Sequence, residues 1–71
     1  MKELFVLPEY IKLDQALKLC GIAESGSMAK DIILDGFVKV NEEVCFMRGK
    51  KLREGDKFSI DDEEYIIKFK G

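Results

Sequence analysis

Seventy-one residues, 46% hydrophobic and 37% charged, fit one globular domain (residues 1–71) with a core near the lower size limit for independent folding. That balance speaks against disorder, and no apolar run reaches the roughly 18–20 residues needed to cross a bilayer. The net charge is −2 and histidine is absent, so neither a general attraction to polyanions nor the commonest general base is on offer.

The N-terminal stretch has one lysine and a four-residue apolar run, too little for a signal peptide, so a cytoplasmic protein without membrane association is expected. Residues 2–7 carry Leu4, Phe5, Val6 and Leu7 and read as a strand. Pro8 ends it and holds Leu7 extended. From residue 12 to residue 20 the period becomes helical, with Leu13, Ala16, Leu17 and Cys20 on one face and Lys12, Gln15 and Lys18 on the other. Gly21 stops this helix, and Ile22 is expected to fold back on Leu17. Lys12 puts a cation in the first turn, against the helix dipole, and Asp14 offsets it in part.

The second helix opens at Ser25-Gly26-Ser27, where either serine can accept an orphan amide. Its apolar face is Met28, Ala29, Ile32 and Ile33. It stops at Asp35-Gly36, with Phe37 expected against Ile32. Residues 37–40 alternate as a strand with Val38 and Val40 on one face, Asn41-Glu42 turns, and residues 43–47 return. A basic segment, Arg48-Gly49-Lys50-Lys51-Leu52-Arg53, follows. Glu54-Gly55-Asp56 turns into a strand over residues 57–60. The acidic run Asp61-Asp62-Glu63-Glu64 is expected at the tip of a last hairpin, whose return arm, residues 65–69, is the natural partner of the first strand. The fold class expected is α+β: two short helices, paired like a helix-turn-helix, packed on a small and mostly antiparallel sheet.

Charge is unevenly distributed. Setting the four consecutive acids aside leaves the remainder at +2, and four of the six residues 48–53 are cationic. Polyanion binding depends on such local clusters, because each neutralised phosphate releases counterions. The start of the second helix at Ser25 and Gly26 offers unpaired amides and a positive dipole end, with Lys30 one turn inside. Tyr10 and Phe46 are open candidates for base stacking, whereas Phe5, Phe37, Phe58 and Phe69 fall in strand patterns that suit a core. Cys20 and Cys45 are far apart and lack histidine partners, so no zinc site, cofactor or catalytic residue is expected.

In this order the residues K-L-D-x-x-L-x-x-x-G-x-x-x-S-G-x-x-A-K-x-x-I-x-x-G-x-V-x-V-N, then R-G-K-K-L and G-D, resemble the S-four RNA-binding domain, the αL motif, and look closest to its small stand-alone bacterial members. The match runs from residue 11 to about residue 60. The resemblance implies a bent sheet under the helix pair, with RNA bound along the helices and the adjoining loop. Lys12 stands where the family usually has Arg before Leu-Asp. Ser25 matches the serine that starts the second helix, and Gly26 replaces the Arg that often follows it. Arg48, Gly49, Lys50, Lys51 and Leu52 match the subgroup's basic loop, and Asn41-Glu42 departs from the usual Asn-Gly turn.

The function so implied is non-catalytic binding of structured RNA, ribosomal RNA ahead of transfer RNA, by a monomer with a role in ribosome assembly or association with ribosomal particles. Lys12, Ser25, Gly26, Lys30, Arg48, Lys50, Lys51 and Arg53 would be the RNA-binding residues. Two other readings are a carrier activated at the C-terminal Gly71 and a protein-interaction adaptor using the same basic face.

Overall fold

The computed structural model describes residues 1–70; Gly71, on which the carrier reading rests, lies outside them. Alternation decides the first element. In β1 (Lys2–Val6) Leu4 and Val6 turn inward while Phe5, between them, is half exposed. A two-residue strand, β2 (Ile11–Lys12), leads directly into α1 (Leu13–Leu19), and α2 (Gly26–Leu34) follows. Then come β3 (Val38–Val40), β4 (Glu43–Val44), β5 (Lys51–Leu52), β6 (Lys57–Ile60) and β7 (Glu63–Phe69). Five strands form one sheet in the order β1-β7-β6-β3-β4, and β2 pairs with β5 in a separate antiparallel ribbon. Every ladder is antiparallel except β1 with β7, which aligns Leu4 with Ile67. The fold is α+β, with first and last strands paired as their sequences suggest.

Leu13, Ala16 and Leu17 of α1 and Ala29 and Ile33 of α2 are fully buried over Leu4, Val38, Phe58 and Ile67 of the sheet. Phe58 and Tyr65 face each other across β6 and β7 with ring centroids 5.1 Å apart and planes 12° apart, a stacked cross-strand pair. Both helices stop at glycines with positive φ, +86° at Gly21 and +82° at Gly36. After α2 the Phe37 amide reaches the Ile32 carbonyl at 3.3 Å, although the Phe37 side chain expected to pack there is exposed. After α1 the equivalent bond comes one residue later, from Ala23 to Leu17 at 3.1 Å. Ala23, rather than Ile22, is the buried residue there.

Other details depart from the patterning. Met28 is 45% exposed, because the buried stripe of α2 narrows to Ala29 and Ile33 with Ile32 half buried. Phe37 is also exposed, so of the strand-pattern phenylalanines only Phe58 is a fully buried core residue. The return arm pairs only at Glu43 and Val44. Of the acidic run, Asp61 and Asp62 alone form the turn. Glu63 and Glu64 are already in β7, opposite Ile60 and Ser59. Lys12 is not in the first turn of α1: its backbone is extended (φ −75°, ψ 148°) and it is the N-cap residue.

Candidate nucleic-acid interface

The cationic segment is held in place mainly by its backbone. Leu52 is fully buried and sits opposite Ile11 in the β2–β5 ribbon, which puts Lys51 directly across from Lys12 on the exposed side. The two lysines that sequence separates by 39 positions are thereby neighbours. The turn before β5 closes with the Lys50 amide on the Met47 carbonyl at 3.1 Å. Its carbonyls then serve α1, since the Leu13 amide donates to Lys50 at 2.8 Å and the Asp14 amide to Arg48 at 3.1 Å. The Asp14 carboxylate accepts from Gln15 N–H at 2.8 Å, completing the first turn. Lys12 therefore needs no capping side chain, because carbonyls of the basic segment satisfy the orphan donors of the helix.

This arrangement has an electrostatic consequence. The α1 amides are occupied, so an incoming anion meets the side chains of Lys12, Arg48, Lys50 and Lys51 rather than a bare helix start. Among the described residues the ion pair present is Lys2–Glu63 at 2.9 Å, on the opposite flank of the sequence, and none of the cations of the basic segment has a carboxylate within pairing distance. Like charges crowded at a positive dipole end, offset only by Asp14 in the first turn, are locally unfavourable, and a bound polyanion relieves that.

Arg53 is positioned by its own amide, which donates to the Asp56 carboxylate at 2.8 Å, while the Asp56 amide returns a 2.9 Å bond to the Arg53 carbonyl. Asp56 also accepts from the Asn41 side-chain amide at 3.3 Å, and Asn41 accepts from Lys57 N–H at 3.0 Å, tying the β3–β4 turn to the same corner. Tyr10, a stacking candidate by sequence, lies under cations instead: the Lys51 ammonium is 4.9 Å and the Arg53 guanidinium 6.0 Å from its ring centroid. Tyr10 and Asp56 are positioning residues for the basic cluster. The sequence signals for them were an aromatic just before β2 and a Gly-Asp just after the basic run.

The remaining candidates sit on the other helix. Ser25 is the N-cap of α2, its hydroxyl accepting from Met28 N–H at 3.1 Å. Gly26 is the first helical residue, and it and Ser27 precede the first intrahelical bond, from Ala29 N–H to the Ser25 carbonyl at 3.0 Å. Lys30 is exposed one turn further on. No hydrogen bond among the described residues joins Ser25, Gly26 or Lys30 to the β2–β5 ribbon. The two helices pack on each other, so these residues form a second patch on one rigid helix pair.

A basic ribbon clamped to the start of a two-helix layer defines the class, a helix pair presenting cations on a small sheet. The sequence model of the S4 domain matches residues 6–68, and the chain belongs to that family, the RNA-binding family its motifs resemble. A Bacillus subtilis (strain 168) protein described as a probable ribosome maturation protein, RlbA, is similar to it: 43% identical over 53 residues, which cover 75% of each chain. Among the described residues no helix is long and apolar enough to cross a membrane.

Proposed function

We propose that this protein binds structured ribosomal RNA and acts in ribosome assembly, without catalysing a reaction. The observation that carries the reading is the set of unneutralised cations held by backbone bonds at one place, Lys12 and Lys51 across the β2–β5 ribbon with Arg48 and Lys50 in the adjoining turn. Membership of the S4 domain family and the similarity to a probable ribosome maturation protein support it. Lys12, Arg48, Lys50, Lys51 and Arg53 take phosphates, and Lys30 with the Ser25–Gly26 helix start takes a second stretch of backbone. Recognition is by shape: fixed charges on a rigid helix pair match the phosphate spacing of a duplex or junction without reading base edges. The protein acts as a cytoplasmic monomer.

The test is titration of a structured ribosomal RNA fragment over a salt series. Affinity should fall steeply with salt. Lys50→Glu/Lys51→Glu should weaken binding on every sequence and flatten the salt slope by roughly one unit for each lysine lost. Binding that ignores both salt and the substitutions would sink the reading.

A further inference from the structure

We infer that the open groove between Phe46 and Lys50 takes an unpaired nucleotide, its base stacked on the Phe46 ring and its phosphate against the cations of the turn. This rests on the RNA-binding reading above and adds to it the feature of RNA that is selected.

Phe46 is 57% exposed and Met47 64%, so two large apolar side chains lie side by side at the surface. The ring is nevertheless seated. A Cβ built on Gly36 would lie 3.3 Å from its Cε1, so the ring rests against the bare Cα of the glycine that ends α2. The chain is fixed just ahead of it by the Cys45 amide on the Val38 carbonyl at 2.9 Å. An aromatic ring supported on one side and open on the other is a stacking platform that loses little freedom when a base settles on it.

Lys50 lines the same groove, and its amide and carbonyl are both bonded, to Met47 at 3.1 Å and Leu13 at 2.8 Å. Platform and cation thus belong to one short anchored segment. The groove they share with Val44 measures about 480 Å³ and opens to solvent. Glu43 is the carboxylate on its wall, so a phosphate belongs on the Lys50 side. Continuity with the unpaired cations of the turn favours a nucleotide over an apolar protein segment, which would bury Lys50 against no counter-charge.

The experiment compares two RNA hairpins identical except for one unpaired adenine, each titrated against wild type and against Phe46→Ala, Phe46→Leu and Phe46→Trp. Wild type should prefer the hairpin with the unpaired adenine. Phe46→Ala should lose about tenfold on it and nothing on the paired hairpin. Phe46→Leu should lose as much, and Phe46→Trp should retain the preference. Melting curves of each variant separate lost stacking from lost fold. Equal loss on both hairpins, or full rescue by Leu, overturns the inference while the salt-dependent binding of the paired hairpin leaves the parent reading standing. A nuclease-resistant protein complex lost in Phe46→Ala, with RNA affinity intact, assigns the groove to a protein and overturns it too.

Discussion

The amide of Leu13 donates to the carbonyl of Lys50 at 2.8 Å, so the first helix takes its cap from the segment that carries the charge. Helix start and cationic turn are therefore one mechanical unit, and what loosens one loosens the other.

Leu52→Ala tests that coupling without touching a charge. Leu52 is fully buried opposite Ile11, and its truncation should cost about 2–5 kcal/mol in urea denaturation. The amides of Leu13 and Asp14 should then exchange with solvent faster than those at the centre of β7. RNA affinity should drop although every cation is present.

Glycine substitutions at two positions should behave oppositely. Gly36→Ala forces a side chain into φ +82° and against the Phe46 ring, and should destabilise by about 1–2 kcal/mol before any cost of moving the ring. Gly49 meets nothing within 4 Å and has no positive φ, so Gly49→Ala should leave stability unchanged or raise it by up to about 1 kcal/mol. Thermal melts of the two variants make the comparison.

The β3–β4 turn holds Asn41 at φ +49° and Glu42 at φ +74° in a two-residue loop, the pattern of a hairpin turn that suits Asn-Gly. Glutamate is strained there. Glu42→Gly should stabilise the protein by about 1 kcal/mol, read as a higher urea midpoint at unchanged slope. No gain would place the strain elsewhere.

The Lys2–Glu63 pair gives a pH signature. The hydrogen bond and then the charge of Lys2 hold the Glu63 carboxyl below the usual carboxylate range, and the same contact raises Lys2. A lowered acid contributes stability above its unfolded pKa and loses it as pH falls through the folded value. A raised lysine contributes below its unfolded pKa and loses it as pH rises through the folded value. Both side chains are exposed, so the effect should be small and screened by salt. The difference in stability between wild type and Glu63→Gln should be flat near neutrality and shrink at both pH extremes, with Glu63 titrating low by NMR.

Periodicity carried most of the fold because it is local. Leu13, Ala16 and Leu17 name their own face, Gly21 and Gly36 their own stops, and Val38 and Val40 their own side of the sheet. What escaped is what locality cannot hold. A two-residue strand such as Ile11–Lys12 has no period, and its partner Lys51–Leu52 lies some forty residues on, so the pairing that makes Lys12 a neighbour of Lys51 was invisible. The same pairing carries Tyr10 under Lys51 and Arg53. Helical spacing assigns Met28 to the apolar face and the strand pattern assigns Phe37 to the core, yet α2 packs through Ala29 and Ile33, and side chains beside so narrow a contact remain outside. The basic segment itself was plain in the sequence. Its attachment to the start of α1 was not, since backbone carbonyls leave no trace in residue type.

The parallel pairing of β1 with β7 sets the order in which this chain can be completed. β1 has no edge to join until β7 has formed, so Leu4 and Val6 wait for that strand while the helix pair and the β3–β4 hairpin can already pack. Such end-to-end contacts have the greatest sequence separation the domain allows, and they slow folding more than the helices or hairpins do. Closure of the sheet is therefore a late event that depends on both ends at once, and a chain interrupted within β7 would display an apolar strand with no place to go.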